Sequence, residues 1–326
     1  MKKVVKFVVL FFALILIAGQ GLVAHAAPAK LKVAIVQLVT HPSLDEITSG
    51  IKESLASHGY KEGDNLEIDF QNAEGDMNLL HNISEEVVAK EPDLIFAITT
   101  PVAQSLQQAT TKIPIVLAGI TDPVSAKLVT ALDKTDANIT GVSDFAPLED
   151  LFKQFKALDL DVKTIGMMYT TSEDNAKAEV EKAKAIAEKL GYKVEVKTID
   201  STNDMALVAE ELASKSQAIF IPTDNTIASS ISTLLDVTDK AKIPVLPTYE
   251  KAVKEGALLS VAISQTNIGK QSADLGLKII DGTKISDLPI EFAKETVKVY
   301  NGQTAEKLGI KLPSDLSSQF KDLSKE

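Results

Sequence analysis

The sequence predicts an α/β protein of two similar, doubly wound parallel-sheet lobes joined by a three-segment hinge. Three observations predict it. First, the apolar run Leu94–Ile98 passes through Thr99-Thr100 into a helical stretch from Pro101. That is the strand–turn–helix order of a parallel strand covered on both faces. Second, the unit recurs at Ala218–Ser229, where Ile219-Phe220-Ile221 runs into Thr223-Asp224-Asn225. Its surroundings recur too: Leu55–Tyr60 is echoed by Ala187–Tyr192, and Lys112-Ile113-Pro114 by Lys242-Ile243-Pro244. The echoes stand about 125–130 residues apart, the size of a domain rather than a solenoid repeat. Third, strands alternate with helical patterns of roughly 10–15 residues throughout, as in βαβ packing.

Taken in order, Leu31–Leu38 is a strand, and Ser43 or Asp45 caps a helix that Gly59 ends. Leu66–Gln71 is the second strand, followed by a helix from about Asp76 to Lys90. After the Leu94–Ile98 strand, Thr100 is suited to N-cap the helix that Pro101 opens. Ile113–Ile120 and Asn138–Val142 complete the first set of strands, and the helix Pro147–Leu158 carries the chain across. The second half repeats the order with strands at Val162–Tyr169, Lys193–Ile199, Ala218–Pro222, Ile243–Tyr249 and Ala257–Ile263. The remainder is too short for a third domain. Helix Ile268–Ile280 is assigned to the first lobe, and strand Val297–Tyr300 to the second. The predicted lobes are residues 27–144 plus 265–285 and residues 145–264 plus 286–326, with a cleft between them. The crossings fall near Ser143–Pro147, Ile263–Thr266 and Gly282–Glu291, and lobes hinged in this way close on ligands.

Residues 1–26 belong to neither lobe. Lys2, Lys3 and Lys6, an apolar run from Phe7 to Ala18, and Ala24-His25-Ala26 form a signal peptide with cleavage expected after Ala26. The run is shorter than the roughly 20 residues of a membrane span. Ile17-Ala18-Gly19-Gln20 has the shape of a lipobox with Gln20 in place of its cysteine, and the chain has no cysteine. An exported protein, cell-surface associated or secreted, without disulfides is expected. The net charge of −11 becomes −14 without the three leader lysines, which argues against nucleic-acid partners and anionic membrane surfaces. All 34 basic residues are lysine. A carboxylate must therefore be held without an arginine fork, by N–H groups and hydroxyls.

No phosphate loop, nucleophile elbow, H-E-x-x-H or cysteine nucleophile is present, and the histidines are isolated. Neither an enzyme nor a cofactor or metal is expected. Strand ends supply the candidates instead: Gln37, His41, Thr99, Thr100, Pro101 and Asp122 on one lobe. Tyr169, Glu173, Asn175, Thr223, Asp224, Asn225, Thr248 and Tyr249 lie on the other. Doubly wound topology brings these to one cleft. Carboxylates for an ammonium, hydroxyls and helix N-termini for a carboxylate, and aromatics for a side chain suit a small zwitterion. Simple alternatives stand beside these roles: a helix cap for Asp224 and Asn225, a turn for Asp122-Pro123, a first-turn acid for Glu173.

Several segments carry a resemblance. His41-Pro42-Ser43-Leu44-Asp45, Gly59–Asn65, Pro92–Ile95, Thr100–Gln104, Ile120–Val124 and Asn138–Asp144 come first, then Pro222–Asn225 and Asn301…Leu308-Gly309-Ile310. In this order, over nearly the whole mature chain, they resemble the tryptophan/tyrosine-type substrate-binding proteins of bacterial ABC importers. The resemblance implies a type I periplasmic-binding fold, an aromatic amino acid between the lobes, delivery to a membrane permease, and a monomer. It adds Asp144 to the pocket residues. Asp224 would meet the ammonium, with Asp144 or Glu173 assisting. Thr99, Thr100 and the Pro101 helix would meet the carboxylate, and Tyr169, Tyr249 and His41 would flank the side chain. One departure is Ser264-Gln265-Thr266-Asn267, where family members often carry a tyrosine-rich segment. A branched-chain amino acid, a nucleoside or another small solute, an exported carboxylate enzyme and a sensor subunit are the alternatives.

Overall fold

A computed structural model describes residues 30–135 and 137–325; the leader lies outside these residues. The first sheet contains β1 (Leu31–Gln37), β2 (Leu66–Asn72), β3 (Leu94–Ile98), β4 (Ile115–Ala118) and β5 (Ile139–Ser143), in the order β2-β1-β3-β4-β5 and all parallel. The second contains β6 (Thr164–Thr170), β7 (Lys193–Ile199), β8 (Ala218–Ile221) and β9 (Val245–Pro247), in the order β7-β6-β8-β9. β10 (Leu259–Ile263) continues it, because the Leu258 N–H bonds the Val245 carbonyl at 2.9 Å. Both lobes thus share the 2-1-3-4-5 order of doubly wound sheets, in which the chain reverses direction at the first strand.

Period-two alternation explains how both faces are covered. Val33 and Ile35 point to one side, where α1 (Pro42–Ser57) packs; Ala34 and Val36 point to the other, where α2 (Met77–Ala89) and α3 (Thr100–Ala109) pack. The second sheet is covered by α4 (Leu148–Lys156) and α5 (Asp174–Lys189) on one face. On the other lie α6 (Met205–Lys215), the short α7 (Asn225–Ser229), α8 (Ile231–Ala241) and α9 (Glu250–Glu255). Helix α10 (Gln265–Ile280) returns to the first lobe and crosses α1 at glycine-to-glycine distance. A Cβ on Gly50 would lie 2.1 Å from the Thr266 carbonyl oxygen, and one on Gly269 would lie 2.1 Å from that of Ile47. Only glycine permits that approach.

Two boundaries differ from expectation. The third crossing lies later than Gly282–Glu291: β11 (Glu291–Phe292) pairs in parallel with β5, so residues 286–292 extend the first lobe rather than the second. The open edge of β5 offered hydrogen bonds, which this segment fills. The crossing to β12 (Thr296–Tyr300) follows it, and β12 lies antiparallel against β10. At helix starts, neither Ser43 nor Asp45 caps α1. Pro42 opens that helix behind His41. Helix α3 likewise begins at Thr100 behind Thr99, one residue early, and the Thr99 hydroxyl does not cap it.

Candidate functional site

The C-terminal ends of the strands in both lobes face one another across the hinge and line one cavity between them. From the first lobe come His41 at the start of α1, Thr99 and Thr100 at the β3–α3 turn, Thr121 after β4 and Asp144 after β5. From the second come Asn175 at the start of α5, Thr223-Asp224-Asn225 after β8, and Thr248-Tyr249 after β9. Leu44, Ile47 and Ile263 form an apolar wall, and among the described residues no lysine lines the space. Contacts outside the cavity hold the lobes together. Lys182 of α5 donates to Asp122 at 2.9 Å and sits 4.0 Å from the Phe145 ring centre, and Gln104 donates to Asp174 at 3.0 Å.

The polar atoms facing this cavity are unusual in lacking partners. His41 Nε2, Thr99 Oγ1, Asp144 Oδ1, Asn175 Oδ1 and Tyr249 Oη are buried with no hydrogen bond. Buried polar groups are nearly always paired, and an unpaired one costs about 1–3 kcal/mol. Five converging on one space mark a binding site. Thr99 carries a second cost: its φ of +85° is a conformation that side-chain-bearing residues rarely adopt. The strained turn aims its hydroxyl at the cavity, where the backbone of a relaxed cap would have turned it toward the helix.

Electrostatics in the cavity are dominated by burial. Desolvation pushes the Asp144 carboxyl up to about 6, against a Thr121 hydrogen bond that lowers it. Asp224 is raised as well, by burial first and by Glu173 second. His41 is lowered by burial, with Asp45, Asn225 and Glu173 opposing, and is neutral at pH 7. Burial raises the Tyr249 hydroxyl, helped by Asp224 and Glu255.

Ten of the residues expected from sequence line the cavity: His41, Thr99, Thr100, Asp144, Asn175, Thr223, Asp224, Asn225, Thr248 and Tyr249. Asp224 is also a cap, as its simpler alternative held. Its oxygens accept from the Thr170 N–H (2.6 Å), the Thr170 hydroxyl (2.9 Å) and the Ile227 N–H (2.9 Å). Five others lie elsewhere. Gln37 is saturated, donating to Val39 and Asp45 and accepting from Thr48, and so ties β1 to α1. Pro101 sits inside the first turn of α3, outside the cavity. Asp122 is occupied by Lys182 and Ser125, and the Tyr169 ring joins the apolar core beside α5. Glu173 is buried, and its oxygens accept from the N–H groups and side chains of Asn225 and Thr226 and, at 3.5 Å, from the Asn175 amide. It fixes the start of α7 and presents nothing to the cavity. The structure adds Thr121, next to the expected Asp122, and Gln265, at the hinge crossing.

A cleft of orphaned polar groups between two hinged, doubly wound lobes defines a two-lobed solute-binding protein. The match to the family of ABC transporter substrate binding proteins runs over residues 32–322, and the chain belongs to that family. Among its relatives is a tyrosine-binding protein of Clostridioides difficile, 37% identical over 284 residues, covering 87% of this chain and 82% of that one. The fold is similar to a Streptococcus pneumoniae domain solved in complex with L-Trp (TM-score 0.87, 40% identity, 89% of this chain and 98% of that one). It is also similar to the ligand-free, open structure of a substrate binding protein with adhesive properties from Clostridium difficile (TM-score 0.70, 36% identity, 89% and 99%). The better overlay on the complex than on the open form agrees with the lobe-to-lobe contacts seen here. Among the described residues no helix is long and apolar enough to cross a membrane.

Proposed function

We propose that this substrate-binding protein receives an aromatic L-amino acid, tyrosine or tryptophan, in the interlobe cavity and delivers it, as an exported monomer, to an ABC permease. The single observation that carries the reading is the set of five unpartnered atoms around the cavity. They match a zwitterion with a partly polar aromatic side chain. Asp144 Oδ1, and behind it the hydrogen-bonded Asp224, take the ammonium. Thr99 Oγ1 and the Thr100 end of α3 take the carboxylate, where free N–H groups and the helix dipole replace the absent arginine. Leu44, Ile47 and Ile263 contact the ring, and His41 Nε2, Asn175 Oδ1 and Tyr249 Oη are left for its polar edge. The printed ligands of the relatives, tyrosine and L-Trp, support this assignment. Binding without turnover is the role the family supports.

Thermal unfolding of residues 27–326 against each standard amino acid, nucleosides and simple sugars tests it. A ligand at about 100 times its Kd adds about 2.7 kcal/mol, a shift of a few degrees for a chain this long. A shift confined to aromatic amino acids is expected. A shift with a nucleoside or sugar, and none with amino acids, overturns the ligand.

A further inference from the structure

Gly119 follows β4 and is the one glycine among the described residues that line the cavity. Its chain neighbours, Ala118 and Ile120, have no exposed surface, whereas Gly119 itself is only half-buried and opens into the cavity. The backbone here is held from behind. The N–H groups of Gly119 and Ile120 donate to the Val142 carbonyl at 3.3 and 3.4 Å, and the Ile120 carbonyl accepts the Asp144 N–H at 3.4 Å. The bare Cα therefore has a fixed place beside the strand end that carries Asp144. Its φ of +78° is one that glycine adopts freely.

The side chain that Gly119 lacks marks a definite point in the cleft. A Cβ there would lie 3.1 Å from Ile47 Cδ1, 3.5 Å from Asp144 Oδ2 and 3.8 Å from Ile268 Cγ2. Ile47 belongs to the apolar wall, and Asp144 is the carboxylate assigned to the ammonium. The point lies between the two. An aromatic amino acid with its ammonium on Asp144 and its ring against Leu44, Ile47 and Ile263 joins these contacts through its Cα and one methylene group. That short link crosses Gly119. Close approach of a ligand to backbone is a setting that glycine serves.

We propose that Gly119 is a specificity-determining residue of the cleft: its missing side chain leaves the passage between Asp144 and the apolar wall wide enough for the indole of tryptophan as well as the phenol of tyrosine. The inference rests on the aromatic amino-acid reading and adds what limits the width of the ring. An indole is broad next to its methylene, because the fused second ring flanks the attachment carbon. A phenol instead extends its length away from that carbon. A methyl group on residue 119 would narrow the passage where the indole is broad. One methylene too many in such a space costs about 10- to 200-fold in discrimination.

The experiment compares tryptophan and tyrosine on wild type, Gly119→Ala, Ile47→Val and the double variant. The chain has no tryptophan, so bound tryptophan is read by its own fluorescence, and tyrosine by titration calorimetry. In G119A the affinity for tryptophan should fall about tenfold or more, and that for tyrosine no more than about threefold. Strain of alanine at a positive φ would lower the stability of G119A and weaken both ligands alike. The ratio of the two affinities therefore carries the result. In the double variant valine removes Cδ1, the atom 3.1 Å from the added methyl, and so conserves volume at that point. The ratio should return towards that of wild type. I47V alone needs no unusual backbone, widens the passage from the other side and should shift the ratio in favour of tryptophan. It decides the matter if G119A does not fold. A ratio unchanged by G119A, or by I47V where G119A does not fold, overturns the proposal and leaves the ligand reading intact. Wild type that binds neither amino acid overturns the ligand reading, and this inference with it.

Discussion

Asp144→Asn should move stability and binding in opposite directions. Asp144 is buried at the end of β5, and burial raises its carboxyl from 3.8 to about 6. The folded chain therefore favours the neutral acid. Wild type keeps its full stability below about pH 4 and loses part of it as the pH rises through about 6. The difference between 3.8 and about 6, at 1.36 kcal/mol per unit, sets the loss above pH 7 at no more than about 3 kcal/mol. Asparagine keeps the shape and removes the charge, so D144N should unfold up to a few degrees higher than wild type at pH 7.5, and level with it at pH 4. Affinity should fall. Removing one partner of a buried charge contact costs about 2–5 kcal/mol, or roughly 30-fold and more in Kd. Scanning calorimetry at two pH values and a ligand titration read both halves. A D144N protein less stable than wild type with unchanged affinity would refute the reasoning, since it would make Asp144 a structural acid.

Three further perturbations follow from the geometry. Thr99→Gly relieves a φ of +85° worth about 1–3 kcal/mol, whereas Thr99→Ala retains it; both lose the hydroxyl and should bind more weakly, but T99G should unfold about 1 kcal/mol later than T99A in urea, and the reverse order would show no strain at the turn. Gly269→Ala places a methyl 2.1 Å from the Ile47 carbonyl, so the α1–α10 crossing should open at a cost of about 3 kcal/mol, measured by denaturant unfolding; a neutral result would mean that the helices can separate freely. Lys182→Ala removes a half-exposed contact between lobes worth no more than about 1 kcal/mol, so ligand release in stopped flow should quicken about two- to fivefold at low salt. An unchanged release rate would take Lys182 out of the closure.

The sequence by itself determined the architecture and the region of the site. Hydrophobic runs of strand length, turn residues at their ends and the echo between Leu94–Ile98 and Ala218–Pro222 are local signals, and local signals are written in consecutive residues. They placed both sheets, the cleft, and ten of the residues around it. What only the tertiary structure decided is which strand-end side chains are spent on the protein itself. Glu173 and Asp224 sit three residues on from similar strands and carry the same carboxylate, yet Glu173 is consumed by the start of α7 while Asp224 still faces the cavity. Gln37 and Asp122 were lost to Asp45 and Lys182 in the same way. The β11 segment found its place by pairing with an open sheet edge about 150 residues earlier in the chain, and so moved the hinge. A side chain's chemistry is local, but its hydrogen-bond partners and its distance from water depend on residues far along the chain, and those decide whether it binds a ligand or caps a helix.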